Sequence, residues 1–371
     1  MRGRPAVFAL ATRRAAAEYL AGVLLILFIL LMIAYTIDLA GNFPKLRTAA
    51  QRQGVFLPTL LFPYLGQRGV DIVTRMLPMA TFFGVFLIEI FRRMRLESVM
   101  LAAAGATPAR GFAALLWVAL VLGSVHWALE TRWRPAAIWA QVETGFGSYA
   151  QRFPRTWRDN TWLVAGDTAI RADILRDSDA QMRNAVIFHG IRDDQLQAID
   201  GAARILPTAT PLVWQMEGVT RWEPGNAGTG AAPLSAPDGT LDLALIPEQL
   251  QYHDVPGFYL PNGPLHAIAA MPDPPENIAD IETAIWRRRV AWFLPGVVAL
   301  LAAGLAHLGF EGRRVLIPHQ IAFAAAGYGY TAAIKTFWSL GELGTLSAPV
   351  ALLTPLLAGL AVAVLLIRRA T

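Results

Sequence analysis

The sequence predicts an α-helical transmembrane bundle of six spans, with an all-β domain inserted in its middle. Three observations carry that expectation. Of 371 residues, 55% are hydrophobic and only 16% are charged, too little charge to dress a soluble protein of this length. Uncharged apolar runs of spanning length stand on both sides of the middle of the chain. Between them, short segments alternate apolar and polar residues with a period of two.

The first apolar run, residues 19–37, lies between Glu18 and Asp38 and is long enough to cross the hydrocarbon core. A cleaved signal peptide would have a shorter apolar region followed by a small-residue cleavage site. The preceding stretch, 6–17, carries Arg13 and Arg14 and can lie along the membrane surface. Further spans fall at 111–129, 290–310, 315–334 and 345–367. The second span is the weakest, because Arg75 and Glu89 bracket a short uncharged stretch. It reaches spanning length only when extended upstream to Gly66, across Asp71 and Arg75. Those two are spaced i,i+4 and can pair on one helical face, turned toward protein or a water-filled cavity. The alternative places both at headgroup level.

Six spans put both termini on one side, and the arginines choose which. Arg2, Arg4, Arg13 and Arg14 precede the first span; Arg92, Arg93, Arg95 and Arg110 separate the second from the third. Arg313 and Arg314 follow the fourth, and Arg368 and Arg369 follow the sixth. The positive-inside rule makes that side cytoplasmic. Lys45, Arg47, Arg52, Arg68 and Arg287, Arg288 and Arg289 then lie outside, as surface charge or as contacts to an anionic ligand. The formal charge of +5 therefore points to membrane lipid and not to nucleic acid.

From Thr131 to about Asp280 the apolar runs shorten to strand length and turn residues recur. Ile170, Ala172 and Ile174 alternate with Arg171 and Asp173; Leu212, Trp214 and Met216 alternate with Val213, Gln215 and Glu217. Leu241, Leu243 and Leu245 continue the pattern, which argues for an antiparallel sheet or open barrel with one apolar face. Residues 224–239 read as a loop and 272–275 as the linker returning to the membrane. The domains are thus 1–130, with spans one to three; 131–280, the β domain; and 281–371, with spans four to six.

The search for chemistry is mostly negative. There is no cysteine, which excludes disulfides, thiolate metal sites and cysteine nucleophiles. The segment from Gly329 to Thr336 lacks the glycine before the lysine of a phosphate-binding loop, and lies in an apolar helix. The six histidines show no metal-ligand spacing, and no Gly-x-Ser-x-Gly elbow is present. No cofactor is expected. His126 and Lys335, near the outer ends of their spans, either meet substrate phosphate or snorkel and bond between helices.

The most informative short segment is a helix at 92–105. Leu96, Val99, Met100 and Ala103 share one face, Gly105 is a natural stop, and Thr107-Pro108 starts the next helix. Arg93 stands four residues before Glu97, spaced to pair with it. A separately terminated amphipathic helix in the cytoplasm covers its apolar face with membrane surface or with a groove on a partner.

The order of three spans, β domain and three spans resembles the lipopolysaccharide export permeases of the LptF/LptG family. Arg95-Leu-Glu97-Ser-Val-Met-Leu-Ala-Ala-Ala-Gly105-Ala-Thr107 is similar to their cytoplasmic loop. Asn160-Thr-Trp-Leu-Val, Ala185-Val-Ile-Phe-His, Gln197-Ala-Ile and Trp214-Gln-Met resemble strand starts of their periplasmic domain. Leu308-Gly-Phe-Glu-Gly-Arg313-Arg314 resembles the loop after their fourth span. The short last loop and the C-terminus soon after the sixth span look more like LptG than LptF. The resemblance implies a permease subunit of an ATP-driven exporter in a Gram-negative inner membrane, with a periplasmic jellyroll-like domain. Its implied partners are an LptF-type permease, an LptB-type ATPase dimer, an LptC-type periplasmic bridge and lipopolysaccharide. ATP hydrolysis resides in the partner, so this chain is not itself the enzyme.

Leu96, Glu97, Met100 and Gly105 become the residues that couple to the ATPase. Lys45, Arg47, Arg75, Arg132, Arg134, Trp214, Arg287, Arg288 and Lys335 become candidate substrate contacts. One departure stands out: the family carries basic residues at the outer end of the first helix, where this chain has Tyr35, Thr36 and Asp38. Two other classes fit the same outline. A secondary transporter with inverted three-helix halves would follow ion gradients, and a scaffold or sensor with a periplasmic binding domain would move nothing.

Overall fold

A computed structural model describes residues 10–97, 100, 103, 109–191, 196–223, 234–235, 237–271, 278–311 and 314–370. The chain divides into two compact units: Met1–Gln141 with Glu282–Thr371, and Val142–Ile281.

The first unit is helical. Helices α1 (Leu10–Gln53) and α2 (Leu57–Met94) outlast the apolar runs expected for them. α3 (Ala109–Ala128) does not stop where strand-like text was expected. It passes through a π-helical turn, Leu129–Trp133, into α4 (Arg134–Thr144). Pro135 has no N–H for the carbonyl four residues back, and a five-residue turn accommodates that gap. The Arg134 amide accordingly bonds to the Leu129 carbonyl.

Among the described residues, four helices are long and apolar enough to cross a membrane: Leu10–Gln53, Leu57–Met94, Phe112–Thr144 and Ala348–Arg369. Two further helices, Ile278–Val290 and Leu294–Leu308, are together long and apolar enough but are bent by 63° at a short break, the geometry of a broken span or of a re-entrant loop. Pro295 causes the break, because its ring clashes with the carbonyl of Ala291 and ends an upstream helix. The helix Ile317–Glu342 has 26 residues, enough for about 39 Å, but is less apolar, with His319, Gln320 and Lys335 along it.

Leu294–Leu308 is the hub of this unit. Twelve of its 15 residues are buried, and it packs against α2, α3, Ile317–Glu342 and Ala348–Ala370. α1 lies along α2, where Gly22 and Gly84 let the backbones approach. A Cβ on Gly84 would meet the backbone of Val23 at 2.5 Å. The other side of α1 stays uncovered, with Leu24, Leu25, Phe28, Ile33 and Ile37 exposed.

The second unit opens with a short helix, α5 (Gly147–Arg152). A meander of antiparallel strands follows: β1 (Trp157–Ala165), β2 (Thr168–Leu175), β3 (Met182–His189), β4 (Ala198–Pro207) and β5 (Val213–Glu217). Text read as one strand through 212–222 is two, because Gly218 at φ 65° turns the chain. β6 (Thr220–Trp222) then pairs with a different part of β4. β7 (Leu234–Ser235) pairs with β6, and β8 (Gly239–Asp242) with β5. Helices α6 (Pro247–Gln251) and α7 (Asn262–Ala269) follow the strands. The expected alternation is present, with Ile170, Ala172 and Ile174 buried in one core with Trp214, Met216, Leu243 and Leu245.

The chain then enters α8 (Ile278–Val290) and α9 (Leu294–Leu308), the bent pair. A two-residue ladder follows, β9 (Phe310–Glu311) with β10 (Arg314–Val315). α10 (Ile317–Glu342) and α11 (Ala348–Ala370) complete the first unit.

Candidate functional site

Among the described residues of the helical unit, charged side chains form two networks. The first is centred on Asp71 of α2, which is 1% exposed. Arg134 Nε donates to Asp71 Oδ1 at 2.7 Å, Arg75 Nε to the same oxygen at 3.1 Å, and Arg68 Nη1 to Oδ2 at 3.0 Å. Arg68 Nε also reaches Asp38 Oδ1 at 2.8 Å, and the Tyr64 hydroxyl donates to the other oxygen of Asp38. On the far side, Arg134 Nη1 lies 3.4 Å from Glu130 Oε2, and Arg287 Nη2 donates to Glu130 Oε1 at 3.1 Å. Helices α1, α2, the π-turn, α4 and α8 are thereby tied together. Buried guanidinium and carboxylate groups stay charged only when paired in this way.

The second network involves Glu89 and Arg92, close to the end of α2. The Tyr19 hydroxyl donates to Glu89 Oε2 and accepts a hydrogen bond from Arg92 Nη1 at 2.7 Å. His307 Nε2 faces Glu89 Oε1 at 3.4 Å, while its Nδ1–H donates to the Ala303 carbonyl. Arg92 Nε donates to Glu97 Oε2 at 3.3 Å. Arg93 is spent elsewhere: its Nη1 donates to the His307 carbonyl, and its guanidinium lies over Phe310. The expected partner of Glu97 at i−4 is thus replaced by Arg92. The chain turns at Arg95-Leu96 between them, which breaks the helical spacing.

The structure scatters the remaining sequence candidates. Leu96 has φ 57° at this turn, and Met100 is helical and 60% exposed; Gly105 lies outside the described residues. Lys45, Arg47, Arg132 and Lys335 are exposed, whereas Arg134 and Arg288 are buried. Arg287 sits over the Trp338 ring at 4.0 Å besides pairing with Glu130. His126 is buried beside Glu130 and Arg287 along the wall of a cavity of about 10 Å³. Trp214 does not front an open groove in this structure. It is 1% exposed, and its indole N–H donates to the Leu245 carbonyl at 2.9 Å.

Asp200 is a buried carboxylate of the β unit. Arg221 donates twice to Asp200, at 2.8 Å each, and His189 Nε2 stands 3.0 Å away. The Arg221 hydrogen bonds hold the Asp200 carboxyl below the usual carboxylate range, against the opposing effect of burial.

Sequence reasoning missed Tyr19, Glu89, Glu130 and His307. Glu130 was within reach through its i,i+4 spacing to Arg134. Nothing local signals Glu89 and His307, which meet only because α2 packs on α9.

A helical bundle of membrane-spanning length, with buried charge networks and an inserted antiparallel β unit, defines a protein of the polytopic membrane type. The family model described as lipopolysaccharide export system permease LptF/LptG matches residues 14–369, nearly the whole chain. The chain belongs to this family of inner-membrane permease subunits. No curated protein matches it significantly.

Proposed function

We propose that this chain is the LptG-type permease subunit of an ATP-driven lipopolysaccharide exporter in a Gram-negative inner membrane. The observation that carries the reading is the family match from residue 14 to 369. The proposed topology has six spans, with α10 as the fifth and the bent α8–α9 pair as the fourth. Both termini are cytoplasmic and the β unit is periplasmic, with a jellyroll-like fold. The exposed apolar side of α1 supports an LptF-type partner, across a cavity that takes lipid from the outer leaflet. Acyl chains then enter the apolar interior of the β unit and pass to an LptC-type bridge. The exposed Lys45, Arg47 and Arg132 suit phosphate groups. Arg134 and Arg287 hold the helices that frame the entry, and Arg288 is buried beside them.

Glu97 is the proposed contact to an LptB-type ATPase dimer. Glu97 is helical, as is Met100 one turn later, which is exposed; the reading puts both on the cytoplasmic side. A solvated carboxylate there would contribute only a few tenths of a kcal/mol through the helix dipole. Desolvated against an ATPase arginine, the same group costs about 2–5 kcal/mol to remove. Glu97→Ala is therefore expected to loosen the ATPase while leaving the protein inserted, and Glu97→Lys to do worse by repulsion. The measurements are ATPase co-purification and ATP-dependent lipopolysaccharide release. Wild-type behaviour in both variants would remove Glu97 from the contact.

A further inference from the structure

Arg92 has three carboxylates within 4.0 Å of its guanidinium, at unequal distances. Its side chain is 14% exposed. Glu97 Oε2 is 3.3 Å from Nε, Glu18 Oε2 is 3.9 Å from Nε, and Glu89 Oε2 is 4.0 Å from Nη1. The Tyr19 ring lies under the guanidinium, 5.2 Å from its centroid, and the Tyr19 hydroxyl accepts from Nη1. The three carboxylates belong to different parts of the molecule: α1, α2 and the start of the cytoplasmic helix. Through Glu89 the cluster also reaches His307 on α9. The hinge between α2 and the cytoplasmic helix is Leu96 at φ 57°, a left-handed conformation uncommon for a residue with a Cβ.

A largely desolvated guanidinium needs an anion in every conformation the protein adopts. In this structure Glu97 is the closest of the three. If a partner cation takes Glu97, Arg92 keeps its charge satisfied by moving the short distance to Glu18 and Glu89, with the Tyr19 ring and hydroxyl as its pivot. Both arrangements keep Arg92 paired, which is the requirement for a two-state element that two sites can bias. We propose that Arg92 is a positioning residue that exchanges Glu97 for Glu18 and Glu89 when the ATPase docks, and so transmits docking to α1, α2 and α9. The proposal rests on the reading of Glu97 as the docking carboxylate and assigns Arg92 a task distinct from docking: coupling.

The test uses the complete exporter reconstituted in proteoliposomes, with ATPase occupancy and ATP hydrolysed per lipopolysaccharide released as separate readouts. Arg92→Gln is expected to retain the ATPase and raise the ATP cost per lipid about tenfold, the size of a typical coupling energy. Tyr19→Phe removes only the hydroxyl and is expected to raise it by a smaller factor, while Arg92→Lys restores part of the loss. If Arg92→Gln fails to insert, Tyr19→Phe decides. A wild-type ratio in both Arg92→Gln and Tyr19→Phe overturns the proposal. So does loss of the ATPase from Arg92→Gln, which would make Arg92 a docking support only. Failure of the docking reading is distinguishable, because Glu97→Ala would then keep the ATPase bound.

Discussion

Asp71 shows how much one buried residue can hold. Three guanidinium groups converge on it, and the closest, Arg134 at 2.7 Å, is as buried as Asp71 itself at 1% exposure. Removing one member of a buried ion pair leaves the other charged and uncompensated, at a cost of about 3–5 kcal/mol. Asp71→Asn is therefore expected to lower the thermal midpoint of the detergent-purified protein sharply. Arg75, with 39% of its side chain exposed, is the internal comparison, because a half-solvated pair contributes about 0–1 kcal/mol. Equal effects of Asp71→Asn and Arg75→Gln would mean that water reaches the centre. The i,i+4 spacing of Asp71 and Arg75 was readable in the sequence. The stronger partner, 63 residues away, was not.

Among the elements, close packing and proline breaks matter more than hydropathy. Gly84 sits where α2 crosses α1, and a methyl group there would strike the Val23 backbone at 2.5 Å. Backbone cannot yield as a side-chain tip does, so Gly84→Ala is expected to cost about 1–3 kcal/mol, as overpacking does. On the same helix, Gly66 has nothing within 4 Å of the added carbon. Alanine there is expected to be neutral or stabilising by up to about 1 kcal/mol, through helix propensity. Thermal unfolding of the two variants side by side checks the pair. If Gly84→Ala matches Gly66→Ala, the α1–α2 contact yields enough to admit a methyl group. The fourth span illustrates the second point: an unbroken apolar run was expected at 290–310, and Pro295 makes it the second arm of a 63° bend.

At the scale of the whole molecule, the two units have different chemistry and separate cores. Trp214 lies deep in the core of the β unit, 1% exposed, with its indole N–H bonded to the Leu245 carbonyl. If acyl chains pass through that interior, the sheet has to open during transport. A photocrosslinking residue at 214 is then expected to capture lipid only while ATP is being hydrolysed, and protein neighbours otherwise. Capture of protein alone under both conditions would leave the interior as an ordinary core and move the lipid path elsewhere.

The sequence by itself determined the membrane character of the chain, the place of the β insertion, and the face that most strands bury. These depend on composition and on periods of two or 3.6 residues, which are local properties. It also carried the family, through motifs spread along the chain. Tertiary structure decided which distant charges meet: Asp71 with Arg134, Glu89 with His307, and Glu130 with Arg287. It decided too that Trp214 is core, and that 212–222 is two strands. For the charges the physical reason is the same. Periodicity tells a residue which face it is on, but a buried charge is satisfied by whatever another helix brings to that face, and that is set by packing at a distance along the chain.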